Sequence, residues 1–203
     1  MRAQAYFRLL HAVPNAPAVD IYFNGQKVAK SLSYQGFTPY APITPGNYQV
    51  RIFLSGQMKN PLLDTTLRII PKTIFTFAVI GLTPRIELLP IEDPKENLPP
   101  GKLGLRFVHL SPNTPRLDML LATGPTLFEN VGYKETAGYI PLSPGKYAIK
   151  LVPTGRTQSL LYVPNIRLTS GRFYTIYLVG LLGNRPPLQV LIPLDGNSYL
   201  HFS

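Results

Sequence analysis

Hydrophobic and polar residues alternate along several short stretches of this chain. Residues 48–54, YQVRIFL, place every second side chain on one apolar face, and residues 146–152, KYAIKLV, repeat the alternation. Because successive side chains of a strand point to opposite faces, a period of two predicts half-buried strands. Two continuous apolar runs, at 73–82 and 173–182, predict central strands. No stretch combines a helical period with capping residues, so we expect an all-β chain.

A proline-glycine pair precedes each alternating strand, at Pro45-Gly46 and at Pro144-Gly145. Proline presets the first central φ of a type II turn, and glycine supplies the positive φ that follows, so each pair predicts such a turn. Many short strands separated by turns are typical of β-sandwiches. The expected fold is therefore a pair of tandem immunoglobulin-like or transthyretin-like β-sandwich domains.

The tandem arrangement follows from an internal repeat. Residues 8–21, RLLHAVPNAPAVDI, share R-x-x-H-x-x-P-N-x-P-x-x-D with residues 106–119, RFVHLSPNTPRLDM. Two further matches follow in the same order at nearly the same offset, which indicates duplication of a whole domain. We expect a first β-sandwich repeat at 1–91, a proline-rich linker at 92–102 and a second repeat at 103–203.

Composition narrows the class of protein. Apolar residues make up 45% of the chain and charged residues 15%, which is not a disordered composition. Cysteine is absent, which excludes disulfides and thiolate metal sites. The N-terminal sequence has no apolar core with a cleavage site, so no signal peptide is visible, unless a leader has been removed. The apolar runs are too short for a membrane helix, so we expect no membrane span.

The formal net charge is +10, and it is spread over both repeats without a basic tail. Two interpretations remain open: a solubilising surface, or affinity for an anionic polymer such as nucleic acid or a cell-wall polyanion. None of the recognised nucleic-acid motifs is present, so specific nucleic-acid binding is not expected.

The histidine, asparagine and aspartate shared by the two repeats lie in a turn-rich segment, where asparagine and proline favour irregular backbone. Its histidines and aspartates could ligate a metal or orient a nucleophile. They could equally hold a crossing loop in place, and we favour this structural role. The predicted structural motif is His11, Pro14, Asn15, Pro17, Asp20, His109, Pro112, Asn113, Pro115 and Asp118.

The search for a catalytic site finds no cysteine nucleophile, no G-x-S-x-G elbow and no phosphate loop. Ser111 follows His109 closely, but the first repeat has Val13 at that position. We therefore predict no catalytic residues, no cofactor and no metal.

Four tyrosines also recur at equivalent positions. Tyrosines on strands usually face the core or the sheet, but an exposed row of them could stack on sugars or nucleobases. The possible ligand-stacking residues are Tyr34, Tyr40, Tyr133 and Tyr139.

At residues 11–25, HAVPNAPAVDIYFNG, and 44–52, TPGNYQVRI, the chain resembles the bacterial and archaeal family called domain of unknown function 4397. The resemblance extends over two tandem copies, although Val13 replaces a serine expected in the first. It implies extracytoplasmic immunoglobulin-like or transthyretin-like domains, often in surface proteins, and no established activity.

These observations predict a non-enzymatic structural or interaction protein of a bacterial cell or spore surface. Its partners would be itself or other surface proteins, joined through sheet edges or through the terminal segments MRAQAYFRLL and NSYLHFS. The alternative is a module that binds carbohydrate or an anionic cell-wall polymer through exposed tyrosines and the basic surface.

Overall fold

The structure is a computed structural model that describes residues 4–202. The chain divides into two compact units. The first unit contains residues 4–94 together with residues 199–202, and the second contains residues 95–198. The exact domain and linker boundaries expected from the sequence stay a prediction.

The first unit is a sandwich of two four-stranded sheets, in the orders β4-β1-β7-β8 and β3-β2-β5-β6. Strands β1 and β7 run parallel, and every other pair of neighbours is antiparallel. The strands are β1 (Ala5–His11), β2 (Val19–Phe23), β3 (Gln26–Leu32), β4 (Ala41–Ile43), β5 (Gly46–Leu54), β6 (Leu63–Ile69), β7 (Ile74–Leu82) and β8 (Arg85–Glu92).

The second unit repeats this topology, with sheets β12-β9-β15-β16 and β11-β10-β13-β14 and one parallel pair, β9 with β15. Its strands are β9 (Leu103–His109), β10 (Leu117–Leu121), β11 (Thr126–Val131), β12 (Ile140–Leu142), β13 (Gly145–Pro153), β14 (Leu161–Leu168), β15 (Phe173–Val179) and β16 (Gln189–Leu191). A single 3-10 turn, Gly196–Ser198, is the one helical element of the described residues. The two predicted tandem all-β sandwiches are thus confirmed.

Each unit has its own core, built from the inward faces of both sheets. In the first unit the alternating residues Phe7, Ile21 and Ile52 meet there, and in the second Phe107, Met119 and Leu151 do. The apolar runs predicted as central strands form β7 and β15, each with a neighbour on both sides. No helix in the described part of the chain is long and apolar enough to cross a membrane.

Two expectations need correction. Gly46 has a φ of 157°, far from the value of about +80° that a type II turn requires. The Pro45-Gly46 pair instead forms a bend where the chain leaves β4 in one sheet and enters β5 in the other. The type II turn predicted at Pro144-Gly145 is wrong for the same reason, because Gly145 lacks the required positive φ and the chain crosses there from β12 to β13.

The second correction concerns the segment MRAQAYFRLL. Its described part from Ala5 onwards lies in β1, which is paired on both sides with β4 and β7 and cannot serve as a spare strand. Residues 1–3 lie outside the described part of the chain.

Candidate functional site

The duplicated histidines lie at the ends of β1 and β9, where the chain crosses from one sheet to the other. His11 is buried, and its Nε2 lies 3.1 Å from the carbonyl oxygen of Pro17. The backbone N–H of Val13 donates to its Nδ1, so the proton is on Nε2 and this nitrogen donates to Pro17. His109 repeats the contact with Pro115, also at 3.1 Å. Each imidazole therefore ties together the ends of a crossing loop.

Both histidines are held in the neutral form. Burial lowers the pKa of His11 more than the bond to Pro17 raises it. Burial likewise lowers the pKa of His109, against the bond to Pro115. The Ser111 hydroxyl donates its proton to the Gly180 carbonyl at 2.7 Å and not to a nitrogen of His109. This arrangement has the contacts of a loop anchor rather than those of a nucleophile and its base.

The duplicated aspartates bind the backbone of a β-bulge in the next strand. The Asp20 carboxylate accepts the N–H of Ser31 at 2.8 Å, and Asp118 accepts the N–H of Asn130 at 2.7 Å. Ser31 and Asn130 both have a positive φ, at 50° and 54°, which marks the bulge. The aspartates thus fix the same irregular position in both units.

Asp20 is the more enclosed of the two. Its side chain is 2% exposed and forms an ion pair of 2.8 Å with Lys27. Burial of Asp20 raises its pKa, but bonds from Lys27, Ser31 and Gly56 outweigh this and lower the pKa to about 2. In the second unit the residue opposite Leu120 is Thr126 rather than a lysine, and Asp118 is only half-buried. A different ion pair, Arg116 with Glu135 at 2.6 Å, lies on the surface nearby.

The asparagines of the motif both lie in turns of the crossing loops. Asn15 has a φ of 60° in the turn that it forms with Pro14. Asn113 exchanges two hydrogen bonds with the backbone of Leu182, at 2.9 and 3.0 Å. The structural role predicted for the motif residues stays a prediction, which the experiments below address.

The four repeated tyrosines are half-buried and lie against charged or polar groups of their own unit. Tyr34 and Tyr133 meet the rings of His11 and His109 edge-on, with centroids 6.3 and 6.4 Å apart. The Tyr40 ring lies under the guanidinium of Arg8, and Tyr139 lies in the same way under Arg106. Whether these rings bind a ligand stays a prediction, but they do not form an exposed row.

Tyr40 and Tyr139 belong to a buried network that sequence reasoning missed. In the second unit Arg106 donates to Thr175 Oγ1 at 2.6 Å, and Thr175 and Tyr139 both donate to the Asp195 carboxylate. The first unit has the same set in Arg8, Thr76, Tyr40 and Asp93. We call these two sets the arginine–tyrosine networks. The repeated arginine of the R-x-x-H pattern and the repeated tyrosines were the sequence signals for these networks, but their aspartate partners lie far along the chain and could not be paired with them.

An open groove lies on the outer face of the second unit, over strands β13 and β14. Its volume is about 440 Å³, and we call it the Tyr162 groove. It is lined by Leu121, Ala122, Thr123, Lys146, Tyr147, Ala148, Tyr162, Pro164 and Asn165. The Tyr162 side chain is 54% exposed, which makes it the exposed aromatic ring of this face. Tyr147 is partly covered by the core and donates its hydroxyl to the Ser143 carbonyl.

A bulge shapes this groove. The pairing of β13 with β14 shifts register between Tyr147 and Ile149, so Pro164 and Asn165 are both opposite Ala148. Asn165 has a φ of 64° at this point. The small Ala148 side chain forms the floor, and the bulge and Tyr162 form the raised side.

The equivalent face of the first unit is filled. Across β5 and β6, Asp64 is in the position of Tyr162 and Gln49 in the position of Ala148. Asp64 accepts hydrogen bonds from Gln49 Nε2 and Arg51 Nε, both at 3.0 Å. The pairing has no register shift here. A second open groove, of about 380 Å³, lies near Pro45 and Ile70, and no aromatic ring lines it.

The described residues contain no cluster of metal-ligating side chains, and the Tyr162 groove contains no carboxyl group. Between residues 4 and 202 no three His, Cys, Asp or Glu side chains converge as metal ligands would. None of the nine residues that line the Tyr162 groove is acidic. The groove can therefore offer a ring, a hydroxyl, an amide and an ammonium group, which are binding groups.

Several solved structures show a distant likeness. The Bacillus anthracis TIE protein has a TM-score of 0.28 and 13% identity over 86% of this chain, which spans only 33% of that protein. The family 26 carbohydrate-binding module of Eubacterium rectale Amy13K, solved with maltoheptaose, has a TM-score of 0.31 and 10% identity, with 96% and 99% of the two chains covered.

A streptococcal virulence factor described as binding alpha-glucan has a TM-score of 0.28 and 14% identity, with 97% of this chain and 99% of that chain covered. Likenesses this low do not bear on function. No curated protein matches the chain significantly.

The sequence itself gives the clearer relationship. The family model described as domain of unknown function (DUF4397) matches residues 5–120, which is more than half of the 203 residues. The match covers the first repeat and continues to β10 of the second. The two units share an internal sequence repeat and the same strand topology. The chain therefore belongs to the DUF4397 family.

Proposed function

We propose that this protein is a non-enzymatic carbohydrate-binding module, whose second unit holds a polysaccharide in the Tyr162 groove. The observation that carries the proposal is the exposed Tyr162 ring beside the small Ala148 floor. A sugar ring has an apolar face of C–H groups, which stacks on an aromatic ring with little conformational cost to either. A floor of one methyl group leaves room for that stacked sugar.

The polar groups around the ring suit hydroxyl recognition. Thr123 offers a hydroxyl, Asn165 an amide and Lys146 an ammonium group, each at the groove wall. A few convergent polar groups beside an apolar surface are what orient a small ligand in a binding site. Glycoside hydrolysis usually requires a pair of carboxyl groups at the bond that breaks, and the lining residues include none. Binding without cleavage is the chemistry that this set supports.

The bacterial cell or spore surface is the location that we propose, because polysaccharides are abundant there. Attachment to such a polymer would place the protein at the surface through its ligand.

The test is binding to a panel of soluble polysaccharides by affinity electrophoresis and calorimetry. We expect Tyr162→Ala to weaken binding at least about tenfold, which corresponds to about 1.4 kcal/mol. Tyr162→Phe keeps the ring and should keep most of the affinity. Met58→Ala, which truncates an exposed apolar side chain of the first unit, is the control. The proposal fails if no polysaccharide binds, or if Tyr162→Ala binds as well as the wild type.

Assembly through a sheet edge is a second candidate, and one observation favours it. Strand β6 is an edge strand whose pairing with β5 runs without a register shift, and it contains no proline. Its counterpart β14 has Pro164 and the bulge, both of which hinder pairing with another chain. We propose β6 as the edge that a second copy would join.

Light scattering at several protein concentrations tests this candidate. If β6 pairs with another chain, the mass should rise with concentration, and Thr66→Lys on that strand should lower it. Gln57→Lys adds the same charge in a loop and should change nothing. A mass that stays monomeric at all concentrations would exclude assembly by this edge.

A further inference from the structure

The charges on the outer face of β13 and β14 are all of one sign. Residues that are directly opposite each other across two strands share a face. Lys146 is opposite Arg167, and Lys150 is opposite Tyr162. Neither strand contains an aspartate or a glutamate. The groove is therefore flanked by cations with no acidic neighbour on the same two strands.

The spacing of these cations follows the strand. Lys146 and Lys150 are four residues apart on β13, which is about 13 Å at the usual rise of a strand. Ala148 lies between them on the same face. Positive groups thus stand at both ends of the groove, and the exposed tyrosine is beside one of them.

We infer that the ligand of the Tyr162 groove is an acidic polysaccharide, one whose sugar rings carry carboxylates at regular intervals. This inference rests on the proposed function and names its substrate class. A sugar stacked on Tyr162 would place its carboxylate near Lys150, and a later sugar of the chain would reach Lys146 and Arg167. The pairing is one of charge complementarity along an extended ligand.

The first unit provides a natural contrast. Its face has Arg51 and Arg68, but Asp64 is directly opposite Arg51 and accepts a hydrogen bond from its guanidinium at 3.0 Å. One cation there is thus already engaged, and no exposed ring accompanies it. The general charge of +10 is shared by both units, whereas this arrangement of ring and cations is found on β13 and β14.

A single-stranded nucleic acid is a different class of polyanion, and the groove suits it less well. Such sites usually stack successive bases on several aromatic side chains. The Tyr162 groove has one exposed ring, because Tyr147 packs against the core with its hydroxyl bonded to Ser143. A single ring with separated cations fits a sugar chain better than a run of bases.

The experiment compares polygalacturonate and hyaluronan with their carboxyl-reduced forms, at about 0.15 M salt, where long-range attraction is screened. We expect the wild-type protein to bind the acidic polymers about tenfold more tightly. Lys150→Gln and Arg167→Gln, which lie on this face outside the groove lining, should each weaken acidic binding about two- to fivefold, as exposed ion pairs do, and leave binding of the reduced polymers unchanged. Arg68→Gln removes one charge from the first unit and should have no effect.

The outcomes separate the two proposals. Equal binding of the acidic and reduced polymers, lost in Tyr162→Ala, would overturn the acidic ligand and leave carbohydrate binding standing. An equal loss in Arg68→Gln and in Arg167→Gln, at the equivalent position of the second unit, would overturn the inference, because general charge would then explain the binding. Tighter binding of single-stranded DNA than of either acidic polymer would overturn both proposals. Failure of every polymer to bind would count against both.

Discussion

Strands β5–β6 of the first unit and β13–β14 of the second are the same ladder with different surfaces. In the first, Gln49 and Arg51 both donate hydrogen bonds to Asp64 across the face. In the second, Ala148 and Tyr162 replace the glutamine and the aspartate, and a bulge displaces β14. Two substitutions and one irregular residue thus convert a closed polar surface into a groove. The comparison shows how two units can share an interior while one of them has an open groove on its outer face.

The interiors of the two units differ much less. Both contain an arginine–tyrosine network, a histidine bonded to a proline carbonyl and an aspartate that holds a bulge. A buried charge is costly unless it is paired and bonded, so such networks are sensitive to the loss of a member. Substitutions should therefore lower the free energy of unfolding by similar amounts where both units have the same group in the same environment, and by different amounts where the environments differ.

The largest effect is expected from the buried carboxylates of the arginine–tyrosine networks. Asp195→Ala removes the acceptor of Tyr139 and Thr175 beside the buried Arg106. We expect a loss of about 3 kcal/mol or more, since breaking a buried pair leaves its cation poorly compensated. Asp93→Ala should cost a similar amount in the first unit. Urea denaturation measures both, and a cost below about 1 kcal/mol in either would show that the networks are not equivalent.

A smaller and unequal effect is expected from the aspartates at the bulges. Asp20→Ala removes a buried acceptor of Ser31 and Lys27 and should cost about 2–3 kcal/mol. Asp118→Ala, in a half-exposed site, should cost about 1 kcal/mol. Hydrogen exchange followed by mass spectrometry locates each loss in its own unit. A larger cost for Asp118 would reverse the comparison.

How far the sequence could predict these features depends on how local each signal is. The strands and the duplication follow from alternation and from near-identical segments, which are properties of neighbouring residues. The bend at Pro45-Gly46 was predicted as a type II turn, because the sequence does not show that the chain changes sheets there. The partners of Arg8 and Arg106 lie tens of residues away, so only the fold brings them together.

The proposed binding face was the hardest feature to predict from the sequence. Tyr34, Tyr40, Tyr133 and Tyr139 attracted attention because they repeat, whereas Tyr162 has no tyrosine counterpart. Repetition selects residues that both units need, such as those of the shared interior. A site present in only one unit should instead appear as a difference between equivalent positions of the two repeats. Asp64 and Tyr162 are such a pair.

The acid sensitivity of the first unit follows from Asp20. Its pKa is lowered to about 2 in the folded protein from an ordinary value of 3.8. Because the pKa of Asp20 is lower in the folded protein, its ionised carboxylate stabilises the fold at pH values above the unfolded-state pKa. This stabilisation is lost as the pH falls from about 4 towards 2. We expect amide protection in β2 and β3 to fall over this range, and Asp20→Asn to remove that part of the pH dependence. Unchanged acid sensitivity in Asp20→Asn would contradict the assignment.

The smallest effect is expected near neutral pH and should have the same sign in the two units. Burial lowers the pKa of both His11 and His109, so the unfolded chain binds protons before the folded one does. The contribution of the two histidines to stability should be fully present above pH 6.5, the ordinary pKa of histidine, and should decline as the pH falls below it. Urea midpoints at pH 7.5 and 5.5 measure the decline, and His11→Ala and His109→Ala should each reduce it. A protein that becomes more stable at pH 5.5 would exclude buried neutral histidines.

The central claim is that two side chains on one face decide which unit binds. The measurement that tests it most directly is the affinity of Ala148→Gln/Tyr162→Asp for polygalacturonate, compared with the wild type and with the first-unit control Arg68→Gln. This variant gives the second unit the residues of the first, with Lys150 in the position of Arg51. We predict that binding is lost while the urea midpoint is unchanged. Binding at wild-type affinity in the folded variant would contradict the claim.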